Sequence, residues 1–236
     1  MTSIYLIRHG QTDTNIFGGF NGSRSDQELN AVGREMAAAL VDGFADVHLD
    51  AIYSSPLKRA RQTAEGVRGV RETEILIDPD LTEIDFGDWE GLSYRQAVER
   101  DPDAIRVWKK DIVHFSAPNA CENVHFVATR MFRALRRILR AHRGQTVAVV
   151  SHGFAFRVLL TRLLRIPVGQ CRRVPFFANA AYGVLEIEDD GHFCVRALNR
   201  REYYKPEDLR IPRRRTRNFA ARVLKERHYH PAFRIK

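Results

Sequence analysis

Two short runs, IYLI at 4–7 and VAVV at 147–150, are apolar or aromatic at every position. Side chains of a strand alternate between two faces, so a strand can be apolar throughout only if both faces are covered. Runs this short do not make helices of their own. The chain must therefore build a sheet with helices on either side.

The rest of the sequence supplies those helices in alternation with further strands. Asn30 caps a helix through Gly43, with Val32, Met36, Ala39 and Leu40 on its apolar side. A short strand follows at 51–54, a helix at 57–67 and a third strand at 75–77. Residues 93–110 read as two helices broken at Asp101-Pro102, because proline cannot sit in a helix interior. From Asn123 to His142 the apolar positions Phe126, Val127, Met131, Leu135, Ile138 and Leu139 keep a helical period. After the strand at 146–150 comes a helix from Gly153 to Leu164, stopped by Ile166-Pro167. Residues 181–187 and 193–198 pair as strands around a turn at Asp189-Asp190-Gly191. The predicted fold is a three-layer α/β/α sandwich: a mostly parallel sheet with an antiparallel edge.

The net charge of +9 is unevenly spread. Residues 204–236 hold 11 Lys or Arg against 3 Asp or Glu, whereas residues 1–203 hold 27 against 26. The basic character thus belongs to a C-terminal tail, which weakens any reading of the whole chain as a nucleic-acid binder. The organisation expected is one domain over 1–203 and a basic, partly helical tail over 204–236. In the tail, TRNFAARVLKERH at 216–228 pairs Phe219 with Val223 and Ala220 with Leu224. Cys121, Cys171 and Cys194 match neither a disulfide framework nor a zinc pattern. No transmembrane run and no signal peptide are expected, and a reduced, cytoplasmic setting follows. The oligomeric state is left open.

Four stretches carry the chemistry. The first strand ends in Arg8-His9-Gly10 and the strand at 146–150 in Ser151-His152-Gly153. If these strands are neighbours, both histidines meet at the carboxyl end of the sheet, where ligands gather in such folds. SSPLKRARQTA at 54–64 brings Lys58, Arg59 and Arg61 to the first turns of a helix, whose N-terminus favours anions. LTEIDFGDWEG at 81–91 offers four acids, Glu83, Asp85, Asp88 and Glu90. Two histidines, arginines and a carboxylic acid suit phosphoryl transfer. Guanidinium forks match phosphate oxygens, an unprotonated imidazole can attack phosphorus, and a carboxyl can serve the leaving oxygen. No metal or cofactor is required by that chemistry. On the residues alone, which basic residue and which acid take part stays open.

RHGQTDTN at 8–15, SSPLKRARQTA, EIDFGDWEG at 83–91 and SHG at 151–153, in this order, resemble the histidine phosphatase superfamily. The branch is that of cofactor-dependent phosphoglycerate mutase and the α-ribazole and broad-specificity phosphatases. The resemblance covers roughly residues 1–203 and implies a phosphoglycerate mutase-like fold. It implies that His9 is the phosphorylated nucleophile, that Arg8, Arg59 and His152 form the phosphate pocket, and that Glu83 is the general acid and base. It further implies that Asn15, Asn21 and Gly22 line the substrate phosphate site. Cys121-Glu122-Asn123 departs from the Gly-Glu-Ser common in the family's phosphatases.

The leading expectation is a metal-independent phosphatase that hydrolyses a phosphate monoester of a small metabolite through phospho-His9. Glu83 and His152 are 69 positions apart, which resembles the compact phosphatases rather than the mutases with their longer insertion. The alternatives are mutase-type phosphotransfer and a non-catalytic phosphate- or partner-binding module with a basic tail. For the tail, the plain expectation is a short helix docked on the domain. The sharper ones are an acidic partner, an anionic surface or a lid over the site. His48, His114, His125 and His192 are expected to be structural or exposed, and Asp78-Pro79-Asp80 a turn rather than a metal site.

Overall fold

A computed structural model describes residues 1–204 and Ile235. The strands are β1 (Thr2–Arg8), β2 (Ala51–Ser54), β3 (Ile75–Ile77), β4 (Thr146–Ser151), β5 (Tyr182–Ile187) and β6 (Phe193–Arg200). They form one sheet in the order β3-β2-β4-β1-β5-β6. The first four in that order run parallel, β5 is antiparallel to β1, and β6 is antiparallel to β5. The helices are α1 (Asp13–Ile16), α2 (Ala31–Gly43), α3 (Lys58–Arg68), α4 (Tyr94–Arg100), α5 (Pro102–Lys110), α6 (Val124–Ala141) and α7 (Gly153–Leu163).

The period-two pattern sorts the sheet into two cores. In β1, Ile4 and Leu6 join the core that α6 and α7 cover, and Ile7 joins the core under α2 and α3. In β4, Val147 and Val149 go to the first core, Ala148 and Val150 to the second. On α6, the buried Val127, Met131, Leu135 and Ile138 recur at helical spacing. Burying each such side chain contributes about 1.5–3 kcal/mol. The architecture is the expected α/β/α sandwich with an antiparallel edge.

The helix starts follow local chemistry. Asn30 Oδ1 accepts from Gly33 N at 2.8 Å, and Asn123 Oδ1 accepts from His125 N and Phe126 N at 3.0 and 3.2 Å. Such caps satisfy amides that have no partner within the helix. Pro102 is the first residue of α5 and forces the break from α4, while Asp101 Oδ2 accepts from Trp89 Nε1 at 2.8 Å. The short α1 and the 3₁₀ turns at Gly87–Trp89 and Val168–Arg173 carry no periodic pattern and were not expected. Asp78-Pro79-Asp80, expected as a turn, opens a 3₁₀ turn at Pro79–Leu81. Its carboxylates reach across to α6, Asp78 Oδ2 to Arg137 at 2.6 Å and Asp80 Oδ1 to Arg133 at 2.5 Å.

One close approach fixes the loop after β1. A Cβ on Gly33 would lie 2.0 Å from Gln11 O, and one on Gly10 would lie 2.7 Å from Gly33 O. The first turn of α2 therefore rests directly on the 10–11 backbone, and the absence of a side chain at Gly10 permits that contact. The helix expected at 216–228 and the partners suggested for the tail lie outside the described residues. Ile235 N donates to Gly191 O at 2.8 Å, in the β5–β6 turn. That turn sits beside the start of β1, since Thr2 pairs with Ile187. Among the described residues no helix is long and apolar enough to cross a membrane.

Candidate active site

β1 and β4 are parallel neighbours with Arg8 opposite Ser151, so the two histidines that follow leave the sheet side by side. Their ring centroids are 5.1 Å apart. His9 N donates to Ser151 O at 3.0 Å, which ties the two strand ends together. His9 Nδ1 lies 2.7 Å from Gly10 O. A carbonyl oxygen only accepts, so Nδ1 carries the hydrogen and Nε2 keeps its lone pair. Burial, helped by the nearby Arg59 and Arg8 charges, holds His9 well below the usual imidazole range, although the Gly10 carbonyl opposes this. The ring is neutral at neutral pH.

His152 directly precedes α7, makes no side-chain bond to its amides, and is fully buried. Its Nε2 is 2.8 Å from Ser55 Oγ and its Nδ1 has no protein partner. Burial, with Arg59 and His9 beside it, lowers its affinity for a proton too. Arg8 Nη1 donates to Phe177 O at 2.6 Å, and its guanidinium stacks 4.9 Å from the Phe176 ring centroid. Gly153 leaves room for this stack, because a Cβ there would lie 2.2 Å from the Phe176 ring.

Arg59, in the first turn of α3, has no exposed surface. Its Nη1 and Nη2 donate to Ser25 O and Gly22 O at 2.5 and 2.8 Å. Burial pulls both Arg8 and Arg59 down to about 10, so both remain charged at neutral pH. The Nε atoms of both arginines, like His152 Nδ1, are buried without a protein partner. An unmet buried donor costs about 1–3 kcal/mol. Donors left open beside two fixed positive charges are what a polyatomic anion would satisfy.

The four acids of the 81–91 stretch separate clearly. Glu83 is buried, and its Oε1 accepts from Ile84 N and Ala155 N at 3.0 and 2.9 Å while Oε2 accepts from Phe154 N at 3.0 Å. Those amides and the Arg59 charge favour the carboxylate, but burial outweighs them and pushes the acid up. Asp85 is also buried, yet bonds from Cys121 N, Gly87 N and Arg24 overcome burial and hold it low. Asp88 pairs with Arg100, and Glu90 accepts from Arg24 N and Ser25 N. Of the four, Glu83 alone combines burial with a raised proton affinity.

Helix N-termini behave differently from the expectation. The Lys58 amide that opens α3 donates to Asp26 Oδ1 at 2.6 Å, and the first turn of α7 is taken by Glu83. Both ends already hold a carboxylate of the chain itself. Asn15 Oδ1 accepts from Thr12 N and Asn179 Nδ2 at 3.1 and 2.9 Å. Asn21 Nδ2 donates to Thr12 Oγ1 at 2.9 Å, and the Gly22 carbonyl is held by Arg59. These three residues form the wall beside Arg59 and the His9 loop. Lys58 pairs with Glu28, and Arg61 is exposed.

A sequence model of the histidine phosphatase superfamily, branch 1, matches residues 4–200. The chain belongs to that superfamily. A bifunctional protein of Mycobacterium tuberculosis is 35% identical over 203 residues, 86% of this chain and 55% of that one. The chain thus spans about half the length of this relative. Phosphoserine phosphatase 1 of Hydrogenobacter thermophilus is 30% identical over 193 residues, 80% of this chain and 88% of its own. The solved structure of Bacillus stearothermophilus YhfR superposes with a TM-score of 0.80 at 30% identity, covering 86% of this chain and 99% of that one.

Several residues of this superfamily member that hold the site were not foreseen. Thr63 Oγ1 accepts from Gly10 N at 2.9 Å and donates to Arg59 O at 2.7 Å, joining two of the motifs. Asn179 Nδ2 reaches His9 O, Gly10 O and Asn15 Oδ1 at 3.2, 3.1 and 2.9 Å. Arg130 on α6 donates to the carbonyls of Asp80, Thr82 and Glu83 at 2.9, 2.6 and 2.9 Å, and pairs with Glu122 at 2.7 Å. It thereby holds the segment that carries Glu83. Only Thr63, four residues after Arg59 on one helix, left a trace in the sequence, since it shares that residue's face.

Proposed function

We propose that the chain is a metal-independent phosphomonoesterase that works through a phosphohistidine on His9. The observation that carries this is the fixed tautomer of His9, a neutral Nε2 lone pair held beside His152, the buried Arg59 and the half-buried Arg8. Nε2 attacks phosphorus and the N–P bond forms as the bond to the leaving oxygen breaks. Arg8 and Arg59 neutralise the phosphoryl oxygens, and His152 donates to the charge that grows there. Glu83, which burial keeps ready to hold a proton, passes that proton to the leaving oxygen. As a carboxylate it then takes a proton from the water that attacks phosphorus, the N–P bond breaks, and phosphate leaves with His9 neutral again.

The substrate proposed is a small phosphorylated metabolite. The Hydrogenobacter relative named a phosphoserine phosphatase supports including phosphoserine in the first panel. Rapid quenching with ³²P-labelled phosphoester should trap an acid-labile, alkali-stable phosphoprotein. A His9→Ala variant should lose that label and turnover together. Efficient hydrolysis by the variant would end this reading. Stimulation by a bisphosphorylated primer in the same panel would instead indicate mutase-type transfer.

A further inference from the structure

We propose that Ser55 is a positioning residue: its hydroxyl donates to Nε2 of His152 and holds that ring as the Nδ1–H tautomer. The inference rests on the phosphoryl-transfer reading for its catalytic meaning, but its structural content stands apart from it. Ser55 and His152 both have no exposed surface, and Ser55 Oγ lies 2.8 Å from His152 Nε2. Either atom of that contact is able to donate, so the neighbours decide the direction.

Ser55 Oγ already accepts from Leu57 N at 3.4 Å, in the turn that leads into α3. If it also accepted from Nε2–H, the hydroxyl hydrogen would be left in a dry interior without an acceptor. If the hydroxyl donates to Nε2 instead, the one hydrogen left without a protein partner is the ring's own, and it faces the anion site rather than the packed interior. The neutral ring must then carry its hydrogen on Nδ1. That nitrogen is the buried one with no protein partner, in the same site as the open Nε atoms of Arg8 and Arg59. A lone pair at that point would repel a phosphoryl oxygen, whereas an N–H donates to it.

His9 and His152 therefore sit in matched but opposite roles. In His9 the Gly10 carbonyl claims the Nδ1 hydrogen and frees a lone pair. In His152 the Ser55 hydroxyl claims the Nε2 lone pair and frees a hydrogen. Two rings 5.1 Å apart are thus assigned as nucleophile and donor by one hydrogen bond each. Ser55 lies next to the end of β2, and its own amide donates to Val150 O at 3.0 Å. The hydroxyl is consequently anchored to the strand from which His152 emerges.

The test is ¹⁵N NMR of the histidine-labelled full chain, with His152 assigned by its loss in His152→Gln. Wild type should show a pyrrole-type Nδ1 and a pyridine-type Nε2 at His152. Ser55→Ala should give a mixture of tautomers or the reverse one, with kcat lowered about ten-fold, the scale of one hydrogen bond. Ser55→Thr, which keeps the hydroxyl, should restore both readouts. A wild-type ring protonated on Nε2, or an unchanged tautomer in Ser55→Ala, overturns the proposal. If the tautomer behaves as stated and wild type hydrolyses no phosphoester, the phosphatase reading fails while the assignment of Ser55 stands.

Discussion

Replacing Glu83 by Gln separates the two jobs its carboxyl holds, because the side chain keeps its shape and loses its proton chemistry. Three amides converge on the native group, two on Oε1 and one on Oε2. A Gln oxygen can still accept two of them, but its NH₂ then faces the Phe154 amide, donor against donor. The stability cost is that of one lost buried bond, about 1–3 kcal/mol. For a domain of this size it appears as a fall of roughly 2–12 °C in Tm. Loss of general acid and base catalysis lowers turnover about 10²–10⁴-fold, or about 2.7–5.4 kcal/mol in the barrier. The two losses part company with the leaving group. An alkyl phosphate needs a proton on its departing oxygen, whereas p-nitrophenolate leaves without one. With p-nitrophenyl phosphate the variant should release a burst of nitrophenol near one equivalent and then stall, because no base activates water against phospho-His9. Stopped-flow absorbance and acid-labile label would be read together. Equal, modest losses on alkyl and aryl esters with no burst would show that Glu83 only caps α7, and the acid–base assignment would be wrong.

Two further outcomes follow from the same geometry. His9 and His152 are held neutral by burial and by Arg59, so the unfolded chain takes up protons at these residues first as pH falls. Stability should therefore drop as pH decreases below about 6.5, by up to about 1.4 kcal/mol per pH unit for each ring. Glu83 acts in the opposite sense, since its raised affinity makes stability fall as pH rises from about 4.3 towards its folded value. Guanidinium titrations at pH 5–7 should show His152→Gln with a slope one proton shallower than wild type, and an identical slope would mean that the buried ring is charged. Arg59→Lys keeps the charge but cannot span Ser25 O and Gly22 O at once. It should raise the inhibition constant for inorganic phosphate or vanadate at least ten-fold, and unchanged binding would remove Arg59 from the anion site.

What one sequence makes legible here depends on how far a residue's partners lie along the chain. The two cores follow from alternation within four-residue runs, and the caps at Asn30 and Asn123 from side chains two or three residues away from the amides they meet. The pairing of β1 with β4 makes neighbours of two strand ends that each carry a histidine before a glycine. The residues alone left Glu83 among four acids and only the family resemblance singled it out; the fold supplies the physical reason, since the start of α7 sends two amides to it. Ser55 and Asn179 were invisible for the same reason, with partners 97 and 170 positions away, and so was Arg130, with partners 47–50 positions away. The departure at Cys121-Glu122-Asn123 shows the converse. Cys121 gives its amide to Asp85 and its Sγ to Arg24, Glu122 holds Arg130, and Asn123 caps α6 as a serine would. The stretch thus keeps the scaffold that aims Glu83. Ile16 and Phe17 stand exposed directly after Asn15, and Phe176 beside the Arg8 guanidinium, which puts apolar surface next to the two ends of the anion site.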